Sequence, residues 1–407
     1  MELTRYDDYP VHQSPYPFSY IPASDPAWDE GYYFGVFNVE TGLYLMTGMR
    51  INPNSDMIGG HAGISVRGVE RTLRLSREWR KNCDTHLGPL RYEFIEPFKD
   101  IRISLQDNPS GYTFDLHWYG IGPAHLSSHH LAMSRGRRVT DQTRYNQVGE
   151  AEGWIALNGE RHEVTRGEWG AVRDHSWGIY EGRPPLAPPA KFLPPPEVPP
   201  VKRALRFSVF FQTDKRSGHF HLHEDEQGRQ LNMNDAFGIA FEGAMDTGWE
   251  TPRLPLAGAR HKLVFAPGTR SVTTGSLEID DVAGRTWHMT FEVTAPPYVI
   301  LPIGYHLGAW KDGGTIHTYH GPADPVMEWD EFDFRVQPTE HTLYGEAEPR
   351  KLFGVEHIAR IKLTAPDGTV EHGKAQIEVF LSGRYDPYGF TDPVTKAGHG
   401  LVGRGIV

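Results

Sequence analysis

A single cysteine, Cys83, stands in a chain of 407 residues. This excludes a disulfide framework and a cysteine-only zinc site. Positive charge is also scarce: Lys and Arg number 41 against 52 Asp and Glu, a net charge of −11. The basic footprint that a nucleic-acid binder needs to displace counterions is therefore missing. No stretch approaches the roughly 18 apolar residues of a membrane span; the longest apolar run, around Tyr32–Phe37, is of strand length. The first residues, MELTRYDDYPVHQSPYPFSY, carry acids and prolines where a signal peptide has a basic start and an apolar core. The expectation is a soluble, cytoplasmic protein without a membrane span. No GxGxxG, HExxH, GxSxG or calcium-loop pattern occurs, so no nucleotide, flavin or zinc-protease signature calls for a cofactor, and none is expected.

Helical periodicity is nearly absent too, and what replaces it is a period of two. Gly and Pro together make up 76 residues, 44 plus 32, which implies many turns. Tyr32–Phe37 runs through Glu40-Thr41-Gly42 into Leu43–Met46, a hairpin by pattern and turn chemistry. Ile101–Leu105 turns at Asn108–Gly111 and returns as Tyr112–Trp118. Trp154–Leu157 turns at Asn158-Gly159 into Glu160–Val164. The later half repeats the style in Leu205–Phe211, His219–His223, Trp287–Val293, Ile361–Leu363 and Gln376–Leu381. Only Val69–Arg80 reads equally well as helix or strand.

Apolar residues at 38% and charged residues at 23% describe a globular chain, too long for one hydrophobic core. Between Pro184 and Pro200, nine of seventeen residues are proline. Proline lacks the ladder donor, so this stretch reads as a linker or a surface strap. The expected organisation is a β-barrel domain over 1–183, the Pro-rich segment 184–200, and a second β-barrel domain over 201–407.

Two motifs draw attention and one of them fails. Gly368–Gly373-Lys374-Ala375 has the spacing of a phosphate loop, but Ala375 lacks the hydroxyl for magnesium and the segment lies between strands. His219-Phe220-His221-Leu222-His223 places three imidazoles on one face of a strand. That pattern suits either a metal site or a polar cavity wall, and no further ligand has recognisable spacing to complete a site.

The segment Arg173-Asp174-His175-Ser176-Trp177-Gly178 concentrates a cation, an acid, a base and an indole. In a strand, Arg173, His175 and Trp177 share one face, and Asp174 and Ser176 the other. Burying unpaired charge is costly, so the segment serves either chemistry or a buried lock of hydrogen bonds.

Arg173–Gly178, mid-chain in an all-β sequence, resembles the signature of the carotenoid hydratase and AttH-like superfamily. Tyr145-Asn146-Gln147 with Gly153-Trp154 resembles its lead-in strand. Gly354–His357 through Gly383–Phe390 resembles the closing strands of a bacterial branch. The resemblance implies two lipocalin-like antiparallel barrels packed together, and cofactor-free chemistry on hydrophobic molecules: hydration or dehydration, isomerisation or cyclisation. It maps catalytic roles onto His175 and Trp177. The family's Tyr-x-Asp pair has no counterpart at the corresponding place, on the next strand, where Asp214 in Gln212-Thr213-Asp214 is the nearest substitute.

From these residues the expected catalytic set is His175, Asp174, Trp177 and Asp214. His175 moves a proton at the floor of a cavity, and Trp177 stabilises positive charge. Arg173, His221, His223, Trp118, Tyr305 and His306 are expected to bind a hydrophobic terpenoid, steroid or aromatic substrate, with Arg173 also suited to pairing with a carboxylate. Alternatives are a lipocalin-like carrier of a hydrophobic small molecule and a His-ligated metalloenzyme.

Overall fold

A computed structural model describes residues 3–22, 24–80, 82–180, 203–232, 239–305, 307–335, 340–341, 350–351 and 355–391. The Pro-rich segment 184–200 and His306 lie outside the described residues. Within them the protein is all-β, two antiparallel lipocalin-like barrels packed together, with short 3-10 turns and no α-helix. No helix is long and apolar enough to cross a membrane.

The later barrel is closed. Its strands run in the order Thr286–Val293, Val272–Asp281, Leu254–Phe265, Phe241–Asp246, Ser217–Glu224, Leu205–Thr213, Val370–Leu381, Val355–Thr364, and the last pairs back onto the first. Closure removes the exposed edges that would otherwise recruit other chains. The earlier sheet curls without closing. It runs from Val69–Glu78 through Met57–Val66, Leu43–Asn52, Trp28–Asn38, Gly170–Tyr180, Arg137–Leu157, Tyr112–Gly120, Asp100–Leu105 and Leu90–Glu96. Val69–Glu78 settles as a strand. A late segment, Val326–Asp333, adds itself to that edge, where Arg74 binds Glu328 and Asp330. Membership of the first sheet thus extends beyond the Pro-rich segment.

Strand alternation divides every side chain between two environments. Inward residues fill each barrel: Leu45, Met49, Phe114 and Trp118 in the first, Phe207, Phe220, Ile377 and Val379 in the second. Outward residues of the facing strands form a seam, with Phe37, Met46, Val172, Phe210, Ile300 and Ile358 packed between the barrels. Apolar side chains fill much of both interiors. An open space lies at the seam.

Asn158 and Gly159 take φ of 52° and 85°, the left-handed pair a two-residue hairpin turn demands. Gly63 serves docking: a Cβ there would sit 1.9 Å from the Tyr298 hydroxyl, so only glycine lets the 298–305 connection reach the first sheet.

Candidate active site

The cavity between the barrels is walled by the outward faces of both. From the second barrel, antiparallel register lays its wall out as a grid. Phe210 stands between His219 and Gln376, Ser208 between His221 and Glu378, and Arg206 opposite His223. One strand further, Glu356 stands directly opposite Glu378. Strands are about 4.8 Å apart, so the row His221–Ser208–Glu378–Glu356 spans about 14 Å of wall. The first barrel contributes Tyr33, Arg50, His61, Gln142, Arg144 and Asp174, and the connection after residue 299 contributes Ile300, Ile303 and Tyr305.

Glu356 and Glu378 are both buried, at 4% and 8% exposure. Arg206 Nε lies 2.5 Å from Glu378 Oε1, an ion pair. Among the described residues Glu356 forms no ion pair with a cation. Burial first, and then the negative charge and hydrogen bond of Glu378, push its carboxyl well above the usual range, which favours its protonated form. The Gln376 amide donates to Glu356 Oε2 at 2.9 Å. Tyr33, from the first barrel, donates to Gln376 Oε1 at 2.9 Å and touches the Tyr44 hydroxyl at 2.7 Å. The amide is thereby fixed with its NH₂ toward Glu356, and the contact spans both barrels.

The imidazoles of the wall are uncharged. Burial, then nearby cations, lower His221 to about 3, and burial with the neighbouring Arg50 does the same to His61. His219 is lowered by burial and by His221. Burial raises the Glu242 carboxyl, which accepts from the Ser128 N–H at 2.8 Å. The remaining cations are matched: Arg50 faces Asp29 at 3.5 Å and Arg144 faces Asp174 at 3.8 Å.

The residues expected from the sequence divide between two places. Asp174, His221 and Tyr305 line the cavity. His223 shares the face of His221 but points Nδ1 at the Ile239 carbonyl, 3.1 Å away. Arg173, His175 and Trp177 alternate away from Asp174, as the period of two demands, and so face into the first barrel with Trp118. There His175 Nε2 lies 2.8 Å from Glu30 Oε1, and Nδ1 lies 3.1 Å from the Tyr145 hydroxyl. Its ring stacks on Tyr32 with centroids 4.2 Å apart. Among the described residues Arg173 forms no ion pair with a carboxylate. It donates twice to Gln147 Oε1, at 3.0 and 2.9 Å, beneath the rings of Trp118 and Tyr145. Asp214 sits at the exposed tip of the turn between Leu205–Thr213 and Ser217–Glu224, away from the cavity.

The three histidines of Ser217–Glu224 share one face with ring centroids 5.9 and 5.2 Å apart. Among the described residues no three His, Cys, Asp or Glu side chains are grouped to hold a metal ion. The carboxyl pair escaped sequence reading, although hairpin arithmetic reaches it. A turn centred on Asp367 pairs residues whose numbers sum to 734, and 356 plus 378 is 734.

The chain matches, over residues 3–391, the model of a family described only as a family of unknown function (DUF8625). No curated protein matches it. Among solved structures it is similar to a candidate AttH from Nitrosomonas europaea, at 10% identity and TM-score 0.48, covering 91% of this chain and 97% of that one. It is also similar to kievitone hydratase from Nectria haematococca, at 8% identity and TM-score 0.40, covering 93% and 95%. CghA with Sch210972 follows at 8% identity and TM-score 0.42, covering 87% and 88%.

Proposed function

The chain belongs to that family of unknown function, so its activity has to be argued from its own residues, and we propose that it is a cofactor-free acid–base enzyme acting on a small molecule held between the two barrels. The observation that carries this reading is the Glu356–Glu378 pair. Two adjacent carboxyls whose environments push their protonation apart form an acid and a base in one place. Glu356 delivers a proton to a carbon–carbon double bond or to a departing hydroxyl. Glu378, paired with Arg206, accepts the proton released from the neighbouring carbon in dehydration or isomerisation, and in hydration the proton of the water that adds to the carbon. Hydration or dehydration and double-bond isomerisation both need this exchange and no redox partner. Met46, Phe210, Ile300 and Ile303 give the substrate an apolar bed and limit water around the reacting carbons.

The sequence reading put His175 and Trp177 at the chemistry. We propose instead that the Glu30–His175–Tyr145 cluster braces the open mouth of the first barrel, because its side chains leave the strand on the face opposite the cavity.

Proton exchange tests this without advance knowledge of the product. Unsaturated and hydroxylated small molecules are incubated with the protein in deuterium oxide and followed by mass spectrometry. The expected result is deuterium uptake at carbon, reduced by about 10²–10⁴-fold in Glu356→Gln. A non-catalytic carrier binds such compounds and leaves their carbon-bound hydrogens in place.

A further inference from the structure

Among the described residues, four neutral side chains of the cavity carry polar atoms without a hydrogen-bond partner: His219 Nδ1, His221 Nε2, His61 Nδ1, and both amide atoms of Gln142; of the charged lining, Arg50 Nε and Asp174 Oδ1 do so too, in side chains that face an opposite charge. All four side chains are more than nine-tenths buried, at 5%, 7%, 0% and 2% exposure. All four line the cavity, His219 and His221 from the second barrel, His61 and Gln142 from the first. Buried polar groups in native proteins nearly always find partners, so those that line a cavity without one within the protein are open to the molecule that fills it. Together they present neutral donors and acceptors from opposite sides of one space. We infer that the cavity recognises an uncharged, multiply oxygenated small molecule, whose hydroxyl or carbonyl oxygens bridge the His219–His221 wall to His61 and Gln142 while its carbon body lies against Met46, Phe210, Ile300 and Ile303.

This inference rests on the reading of the cavity as a substrate site and gives that substrate its chemical class. The charge arrangement supports it. Arg50, Arg144 and Arg206 are each matched by a carboxylate, Asp29, Asp174 and Glu378. A carboxylate, sulfate or phosphate entering here would be desolvated without a free counter-charge, and would also meet the partly buried Glu242 and the Glu356–Glu378 pair. An ammonium group would face the same three guanidinium groups. A neutral imidazole offers one nitrogen as donor and the other as acceptor, so it serves a hydroxyl or a carbonyl equally well. The imidazoles stay neutral across the physiological range because burial holds them down. A site built to hydrogen-bond oxygens rejects analogues that lack them far more strongly than an apolar slot rejects an extra methylene. The substrate expected from sequence, hydrophobic with few polar handles, thus becomes an amphipathic one.

Matched probes test the class directly on the full-length protein: estradiol against estradiol 3-sulfate, and 4-hydroxychalcone against 4-carboxychalcone. Binding is measured by titration calorimetry and by imidazole ¹⁵N resonances, assigned with His219→Gln and His221→Gln. At least one neutral member is expected to bind and to shift the His219 or His221 resonances. Its anionic counterpart is expected to bind about tenfold more weakly or worse. Gln142→Leu, on the opposite wall, should weaken the neutral member, which keeps the test open if a histidine variant folds poorly. Equal or tighter binding by the anionic members overturns the inference, as does the absence of binding by both neutral members up to their solubility. Failure of the proton-transfer reading looks different: neutral compounds bind, and no deuterium enters them.

Discussion

Glu356 and Glu378 stand opposite each other on adjacent antiparallel strands, and Arg206 forms its ion pair with Glu378. That single asymmetry turns two identical side chains into an acid and a base. A buried pair of carboxylates cannot both be ionised cheaply, and a cation on one of them decides which keeps the proton. Tyr33 adds a contact from the other barrel, so the protonated partner is held by both halves of the fold.

Removing Arg206 should therefore be costly. Arg206→Met leaves Glu378 buried without its cation, and the loss of one partner of a buried ion pair costs about 3–5 kcal/mol. Urea denaturation at pH 7 measures it. Lowering the pH should recover part of the loss, because protonation of Glu378 removes the unpaired charge.

The buried histidines set the response to acid. His61 and His221 titrate at about 3 in the folded chain against 6.5 when free, and His357 at about 4. Below pH 6.5 the unfolded chain takes up protons that the folded chain refuses. The stability contributed by each neutral imidazole is present above that value and is lost as pH falls toward the folded one. Each contributes a slope of up to about 1.4 kcal/mol per pH unit between these limits. His221→Gln should flatten the fall of unfolding free energy between pH 6 and 4 by about one such contribution, read from denaturation curves across that range.

His175→Ala should behave as a packing defect. It removes a ring stacked on Tyr32 and the contacts to Glu30 and Tyr145. An aromatic pair and one hydrogen bond are each worth about 0.5–1.5 kcal/mol, so the expected loss is about 1–3 kcal/mol. Deuterium exchange into substrate should persist in the folded fraction. Its loss from a fully folded His175→Ala protein would return the chemistry to the first barrel.

Gly63→Ala tests how the seam is closed. The added methyl collides with the Tyr298 hydroxyl and pushes on the connection that carries Ile300, Ile303 and Tyr305 into the cavity wall. Overpacking of this kind costs about 1–3 kcal/mol. Thermal unfolding should show the loss, and neutral probes should bind more weakly.

The alternation of Arg173, His175 and Trp177 against Asp174 and Ser176 was legible from the sequence, because side-chain direction in a strand depends only on parity. What each face meets was not legible. Parity cannot tell a barrel interior from a seam, and the residues around Trp118 and Phe207 pack inside the barrels while the described cavity lies between them. The His219–His221–His223 face was visible for the same local reason. Its partners Arg206 and Ser208 followed only from the register across the Asp214 turn. Glu356 and Glu378 look like ordinary strand residues in sequence, and become a pair only when the Asp367-Gly368 hairpin folds back.

The protonation state of Glu356 at pH 7 tests the central claim most directly. Infrared spectra of wild type and Glu356→Gln are compared in the region where un-ionised carboxyl groups absorb. Because its folded-state value is raised, Glu356 keeps its proton where the unfolded chain has released it; the stability this contributes is present in acid and lost as pH rises past the ordinary glutamate range. Glu70, fully buried and also pushed up by burial, contributes to the same region, so the account predicts un-ionised carboxyl absorption in the wild type at pH 7 that falls by the Glu356 share in Glu356→Gln and is retained in His175→Ala. A wild-type spectrum at pH 7 without an un-ionised carboxyl, or one whose band survives Glu356→Gln unchanged, would contradict it.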